Sequence, residues 1–230
     1  MAYEFDNAAV RVASTGQVFY LEDDLGLIYP TVKAQLETPS TAIETITTTP
    51  FNQLGLLSED AVEHEFADET EDILSWQKGI VRTLITSRTA AFTLAALETN
   101  RAALELFYGA IMSIPAAGIG RIGVQSNVAR KKMITVLEFQ DGTLADGTTP
   151  KVYRLIMPSS QVTELESPAF TSASAVTWGV TIAALGSSHD LLTLITNDPV
   201  VVGEGTTTLT SVIGGGEEEL TTITALRESE

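Results

Sequence analysis

The sequence predicts a mainly β protein built from antiparallel strands, with one short helix, a long loop and extended terminal arms. Three observations carry this. Runs at 89–97, 130–140, 151–159 and 175–185 alternate with a period of two, as half-buried strands do. Asp-Gly pairs at 141–142 and 146–147 offer hairpin-turn chemistry, because they tolerate positive φ. One stretch, 99–109, spaces its apolar residues for a helix and ends on glycine.

Composition narrows the class. The chain has 230 residues, enough for one domain with a large insertion or tail, or for two small ones. A hydrophobic share of 44% supports an ordinary core. No run approaches the eighteen continuous apolar residues of a membrane span. The opening MAYEFDNAAVRV holds acids where a signal peptide would be basic, so export by that route is not expected. With no cysteine, disulfides, thiolate metal sites and cysteine nucleophiles are excluded. The net charge of -17 argues against a nucleic-acid binder, since phosphate affinity needs clustered Lys and Arg. Acidity fits either plain solubility or a surface that repels DNA.

Along the chain, VRVASTGQVFYL (10–21) reads as a bent strand or a strand pair broken at Gly16. Residues 22–50 hold three prolines and a Thr-rich end, and sustain neither period. They are expected to form a long loop or arm that reaches a neighbour, a mobile surface loop being the alternative. FNQLGLLSED (51–60) is an apolar cluster pivoting on Gly55. The carboxylates Glu59, Asp60, Glu63, Glu65, Asp68, Glu69, Glu71 and Asp72 follow. Such a run reads as a solvated face; a calcium site is the alternative, but the spacing does not fit the EF-hand loop.

Gly79 then separates the β-type runs 73–76 and 80–86, and a third run, 89–97, places Ala90, Phe92, Leu94 and Ala96 on one face. Thr99 or Asn100 can cap the helix, Leu104, Phe107 and Tyr108 form its packing stripe, and Gly109 ends it. Residues 109–127 read as a Gly-rich linker. Its GIGRIG (118–123) matches a dinucleotide fingerprint only in letters, since no strand precedes it and no helix follows. In 130–140, Met133, Thr135, Leu137 and Phe139 alternate with Ile134, Val136 and Glu138; in 151–159, Val152, Arg154 and Ile156 face away from Tyr153, Leu155 and Met157. Val176, Trp178, Val180 and Ile182 share one face of the last clear strand. Residues 1–189 thus form the β domain, with the loop at 22–50, and 190–230 an extended arm with one or two strand-forming pieces.

No catalytic, cofactor-binding or metal constellation is expected. His64 and His189 lack a ligand partner at useful spacing, there is no nucleophile-elbow or phosphate-loop motif, and Trp76 and Trp178 are expected in the core.

The order of features resembles the major tail protein, or tail tube subunit, of long-tailed non-contractile bacteriophages, particularly those of actinobacteria. The likeness rests on FNQLGLLSEDAVEHEF, TEDILSWQKGIVRTLITSRTAAFTLAALETNRAALELFYG, RKKMITVLEFQDGT with KVYRLIMPSSQVTE, and AVTWGVTIAAL, across roughly residues 50–185. It implies an antiparallel β-sandwich or partial barrel flanked by one helix. It also implies hexameric rings stacked into a tube in the virion, assembled in the host cytoplasm around a tape-measure protein. Terminator and tail-tip or baseplate proteins would close the ends, and DNA would pass without specific binding; no membrane is involved. On this reading Tyr29, Leu36, Phe51, Leu54, Leu56, Leu57, Asp141 and Asp146 are candidates for contacts between subunits or rings. Asp68, Glu69, Glu71 and Asp72 are candidate bore acids, and Leu104, Phe107, Tyr108 and Trp178 join helix to sheet. The competing reading is a monomeric β-sandwich binding or adhesion module, for instance for carbohydrate.

Overall fold

The computed structural model describes residues 10–46, 50–116, 118–127 and 129–202, with side chains omitted at 59–61. In chain order the elements are β1 (Thr15–Glu22), α1 (Tyr29–Leu36), a 3-10 turn (Ile43–Thr45), β2 (Asn52–Gln53), β3 (Leu57–Ser75) and β4 (Gly79–Ala96). Then come α2 (Arg101–Tyr108), β5 (Ser113–Ala116), β6 (Ile119–Arg121), β7 (Met133–Thr143), β8 (Pro150–Leu165), β9 (Trp178–Ala184), β10 (Thr193–Thr196) and α3 (Pro199–Val202). The mainly antiparallel β class expected from the sequence is what is seen, with three α-helices among the described residues where one was expected.

One antiparallel sheet runs β2-β1-β7-β8-β9-β4-β3. The long β8 uses its first half, Tyr153–Ile156, to pair β10, and its second half, Ser160–Leu165, to pair β9. The period-two alternation of β7 divides its side chains between two cores. Met133 and Leu137 enter one, with Phe92, Leu94, Trp178, Val180 and Ile182, under α2. Ile134 and Val136 enter the other, with Phe19, Leu21 and Ile156, under α1 and the 3-10 turn. Both faces of the central strands are therefore dry, which is why they carry apolar residues at nearly every position.

The sheet is rolled and left open. Val18 and Tyr20 of β1 share the first core with Phe92 and Leu94 of β4, although three strands separate them in the sheet. The chain itself crosses the gap. Asn52 and Gln53 pair β1, Leu54 N–H donates to Val18 O at 3.0 Å, and Leu97 N–H donates to Leu56 O at 2.8 Å. Between the two attachments Gly55 sits at φ +81, where a side chain would be strained.

The loop expected at 22–50 is a folded layer, a correction with a clear cause. Tyr29, Val32 and Leu36 stand at i, i+3 and i+7 and are all buried against the sheet with Ile43 and Ile46. Pro30 falls in the first turn, where no amide hydrogen is needed. The Asp23 carboxylate accepts from the amides of Leu27, Ile28 and Tyr29 at 2.9–3.0 Å. At the far end the Arg154 guanidinium donates to the carbonyls of Leu36, Thr38 and Thr41 at 2.7, 3.2 and 2.8 Å and to Glu138 at 2.6 Å. The helix spans only eight residues, Pro30 among them, too short for its period to stand out in sequence.

The later helix follows its sequence signals. Asn100 accepts from the Ala103 amide at 2.8 Å and Gly109 takes φ +63. A Cβ at Gly109 would lie 2.8 Å from the tip of the Arg130 side chain, which would have to move, and the positive φ itself favours glycine. The deepest residues are Ala103, Leu106 and Phe107; Leu104 and Tyr108 pack at the rim of the same core. Phe107 and Tyr108 meet the Trp178 ring at 5.1 and 5.9 Å, and the Trp178 indole N–H donates to Thr99 Oγ1 at 3.1 Å. The expected 109–127 linker instead contains the β5–β6 hairpin, turning through Gly118 at φ +78.

Candidate assembly surface

The most unusual feature is the β3–β4 hairpin. Only its root is packed: from Ala90 to Ala96 every second β4 residue is buried, whereas Gly79 to Thr89 is exposed almost throughout. Beyond the root, residues 67–75 alone reach about 30 Å at ~3.3 Å per residue. A lone two-stranded hairpin is marginal in water, and here cross-strand side-chain bonds support it. Arg88 grips Asp68 through two bonds of 2.5 and 2.8 Å and lies over the Phe66 ring; these bonds hold the Asp68 carboxyl below its usual range. Thr83 donates to Asp72 at 2.5 Å and Ser87 to Glu69 at 2.8 Å.

Register makes the arm two-faced. His64, Phe66 and Asp68 stand opposite Phe92, Ala90 and Arg88, on the face that continues the inner core. His64 meets Phe92 at a tilt, with ring centres 5.2 Å apart. Glu63, Glu65, Glu69 and Glu71 alternate onto the other face, opposite Thr93, Ala91, Ser87 and Leu84. The four candidate bore acids are thus split: Asp68 and Asp72 on the first face, Glu69 and Glu71 on the second. From Glu63 on the acid run is exposed, as a solvated face is, and it is strand because pairing with a β-branched, apolar β4 supplies the backbone bonds its own propensity does not favour.

At the tip, Ile73, Leu74, Trp76, Ile80 and Val81 are all exposed, Trp76 at 102%. The expectation that both tryptophans are core residues holds for Trp178 and fails for Trp76. Sequence pattern could not separate them, since Trp76 follows an apolar run and its position in a turn is fixed only by pairing.

At the root of the arm the unclosed edge of the rolled sheet leaves a mouth of about 800 Å³. Leu57, Val62, Leu137, Phe139 and Leu155 supply its apolar wall, and Gln53, His64 and Glu98 its polar rim. Of the candidate contact residues, exposed Leu56 and part-buried Leu57 stand at this mouth. Phe51 is half-buried against the second core and Leu54 is fully buried in the first. Tyr29 and Leu36, at 2% and 0% exposure, pack within the subunit, because α1 turns them onto the sheet. Asp141 accepts from the Val12 amide at 3.2 Å. Asp146 accepts from the Thr149 hydroxyl and the Thr149 and Thr148 amides, which pull its carboxyl down to about 2.

A further polar cluster escaped sequence reading. Asp198, 0% exposed, accepts from Arg11 and the Tyr153 hydroxyl, while Tyr153 stacks on Phe139 at 4.9 Å. Burial alone would raise the Asp198 carboxyl; the bonds from Arg11, Tyr153 and the Val200 amide overcome it and hold it at about 2. The start of the predicted C-terminal arm, through β10 and α3, is therefore fastened to β8 and to residue 11; residues 203–230 lie outside the described part.

A rolled, unclosed sheet with a bare apolar-tipped arm defines a structural subunit with surfaces prepared for contact. The profile of the phage tail tube protein family matches residues 3–206, and the chain belongs to that family of virion structural proteins. Comparison with curated proteins gives no match. Among solved structures the chain is similar to the terminating cap of the anti-feeding prophage tube, with TM-score 0.40 and 13% identity over 85% of this chain and 95% of that one. It is also similar to the tail of an empty gene transfer agent particle, with TM-score 0.35 and 15% identity over 66% and 89%. A third likeness is to the sheath–tube complex of an extracellular contractile injection system, with TM-score 0.32 and 13% identity over 61% and 85%.

Proposed function

We propose that six copies of this chain close into a ring, and that rings stack into a tail tube through which DNA passes during ejection. The observation that supports this is the β3–β4 arm, which exposes five large apolar residues at its tip and, among the described residues, has no packed partner along its outer half. Patches of that kind on a soluble protein mark contact surfaces. A head-to-tail contact between copies closes a ring when its rotation allows and otherwise runs on as a filament; a stacked tube uses both. Tape-measure protein fills the tube during assembly in the host cytoplasm, and terminator and tail-tip or baseplate proteins close its ends.

In this tube the Glu69 and Glu71 face lines the bore, and the Asp68 and Asp72 face turns toward a neighbour. At -17 per chain a ring of six carries -102. DNA, with about one charge per ~1.7 Å, is then repelled from the wall and slides without sticking. The test is negative-stain electron microscopy and sedimentation of the purified chain beside a variant whose arm is cut at Ala67 and Thr89 and rejoined by Asn-Gly. Hollow tubes or six-fold rings are expected from the full chain and none from the shortened one. A full chain that stays a 24.5 kDa monomer at every concentration favours the binding-module reading.

A further inference from the structure

The arm tip and the mouth are complementary features of one molecule, and we infer that the tip of one copy, led by Trp76, seats in the mouth of another. This rests on the tube reading for its setting and names the contact within it.

Size and reach come first. The tip presents Leu74, Trp76 and Ile80 with none of the described residues packed over them, and the mouth offers about 800 Å³ floored by Leu137, Phe139 and Leu155. The two cannot meet within a chain. The mouth includes Val62 and His64, at the root of the same hairpin, and the tip lies about 40 Å away along the strand at ~3.3 Å per residue. A paired antiparallel ribbon does not fold back on its own root. A second copy supplies both features at once, and a contact of tip to mouth between copies is head to tail, the kind that propagates.

Charge agrees with this. Lys78 and Arg82 flank the tip, and Glu98 stands on the rim of the mouth. On a chain with 13 cations against 30 acids, the tip is a local exception: Lys78 and Arg82 balance Glu71 and Asp72 beside the exposed apolar residues. That exception lets the tip approach an acidic neighbour. Glu98 is also held in place: it accepts from the Leu56 amide at 3.0 Å, fixing the rim beside Gly55. A large aromatic entering an apolar pocket with a charged rim has the anatomy of a dominant contact residue.

The chain has no cysteine, so a disulfide can report the contact without background. Two single-site variants, Trp76→Cys at the tip and Gln53→Cys on the rim, are mixed under assembly conditions and oxidised. The expected product is the mixed dimer, in excess over either homodimer. A companion pair keeps the reading independent of the cysteine: Trp76→Phe retains assembly, and Trp76→Glu weakens it about tenfold or more with an unchanged circular dichroism spectrum. Tubes that form while the mixed dimer does not, or tubes that tolerate Trp76→Glu, overturn this contact and leave the tube reading standing. A chain that never associates, with fully exposed Trp76 fluorescence, overturns both.

Discussion

At the scale of single residues, two buried charges hold the subunit's outer layers to its sheet. Arg154 is 1% exposed and satisfies three carbonyls beyond α1 as well as Glu138, so it acts as the pin between helix and sheet. Arg154→Ala leaves Glu138 uncompensated and those carbonyls short of donors, and should cost about 3–5 kcal/mol in denaturant unfolding. A loss below 1 kcal/mol would mean water replaces the guanidinium. Asp198 makes a pH prediction. Its carboxyl sits at about 2 in the folded chain, below the ~3.9 of a free aspartate, so its contribution is complete above pH ~4 and is lost as pH falls toward 2. Asp198→Asn should flatten that part of the acid-unfolding profile, with the rest of the curve displaced by a constant amount. Arg154 was legible in sequence only as one member of an alternating strand; its carbonyl partners come from residues more than a hundred positions away, which no local pattern reveals.

At the scale of elements, the β3–β4 arm and the two cores are separable. The outer arm contributes no side chain to either buried cluster. Cutting it at Ala67 and Thr89 should therefore change the unfolding free energy by only about 1 kcal/mol, whatever it does to assembly. A large loss of stability would show that the arm completes the fold of its own chain. The helix α2, the Asp146-Gly147 turn and strands β7, β8 and β9 could be read in advance, because caps, glycines and period-two alternation are local chemistry; Asp141-Gly142, expected as a turn, is instead an irregularity within β7. The α1 layer could not, because eight residues, with Pro30 among them, make too short a period to register. Nor could the acidic strand β3, whose pairing is decided by its partner. The linker at 109–127 hid the β5–β6 hairpin for the same reason.

At the scale of the whole molecule, an acidic chain assembles through patches that must overcome its own repulsion. The family was legible from the texture of residues 50–185, whereas the split of the bore acids between two faces was not. That split depends on strand register, and a shift of one residue exchanges the faces. It gives the arm two unlike sides, glutamates on one and a clamped Asp68–Arg88 pair on the other. The most direct measurement is a cryo-electron microscopy reconstruction of the assembled full-length chain. The account predicts a hollow six-fold tube in which Trp76 is buried against a neighbouring copy and Glu69 and Glu71 face the bore. A tube whose β3–β4 arms point free into solvent would contradict it.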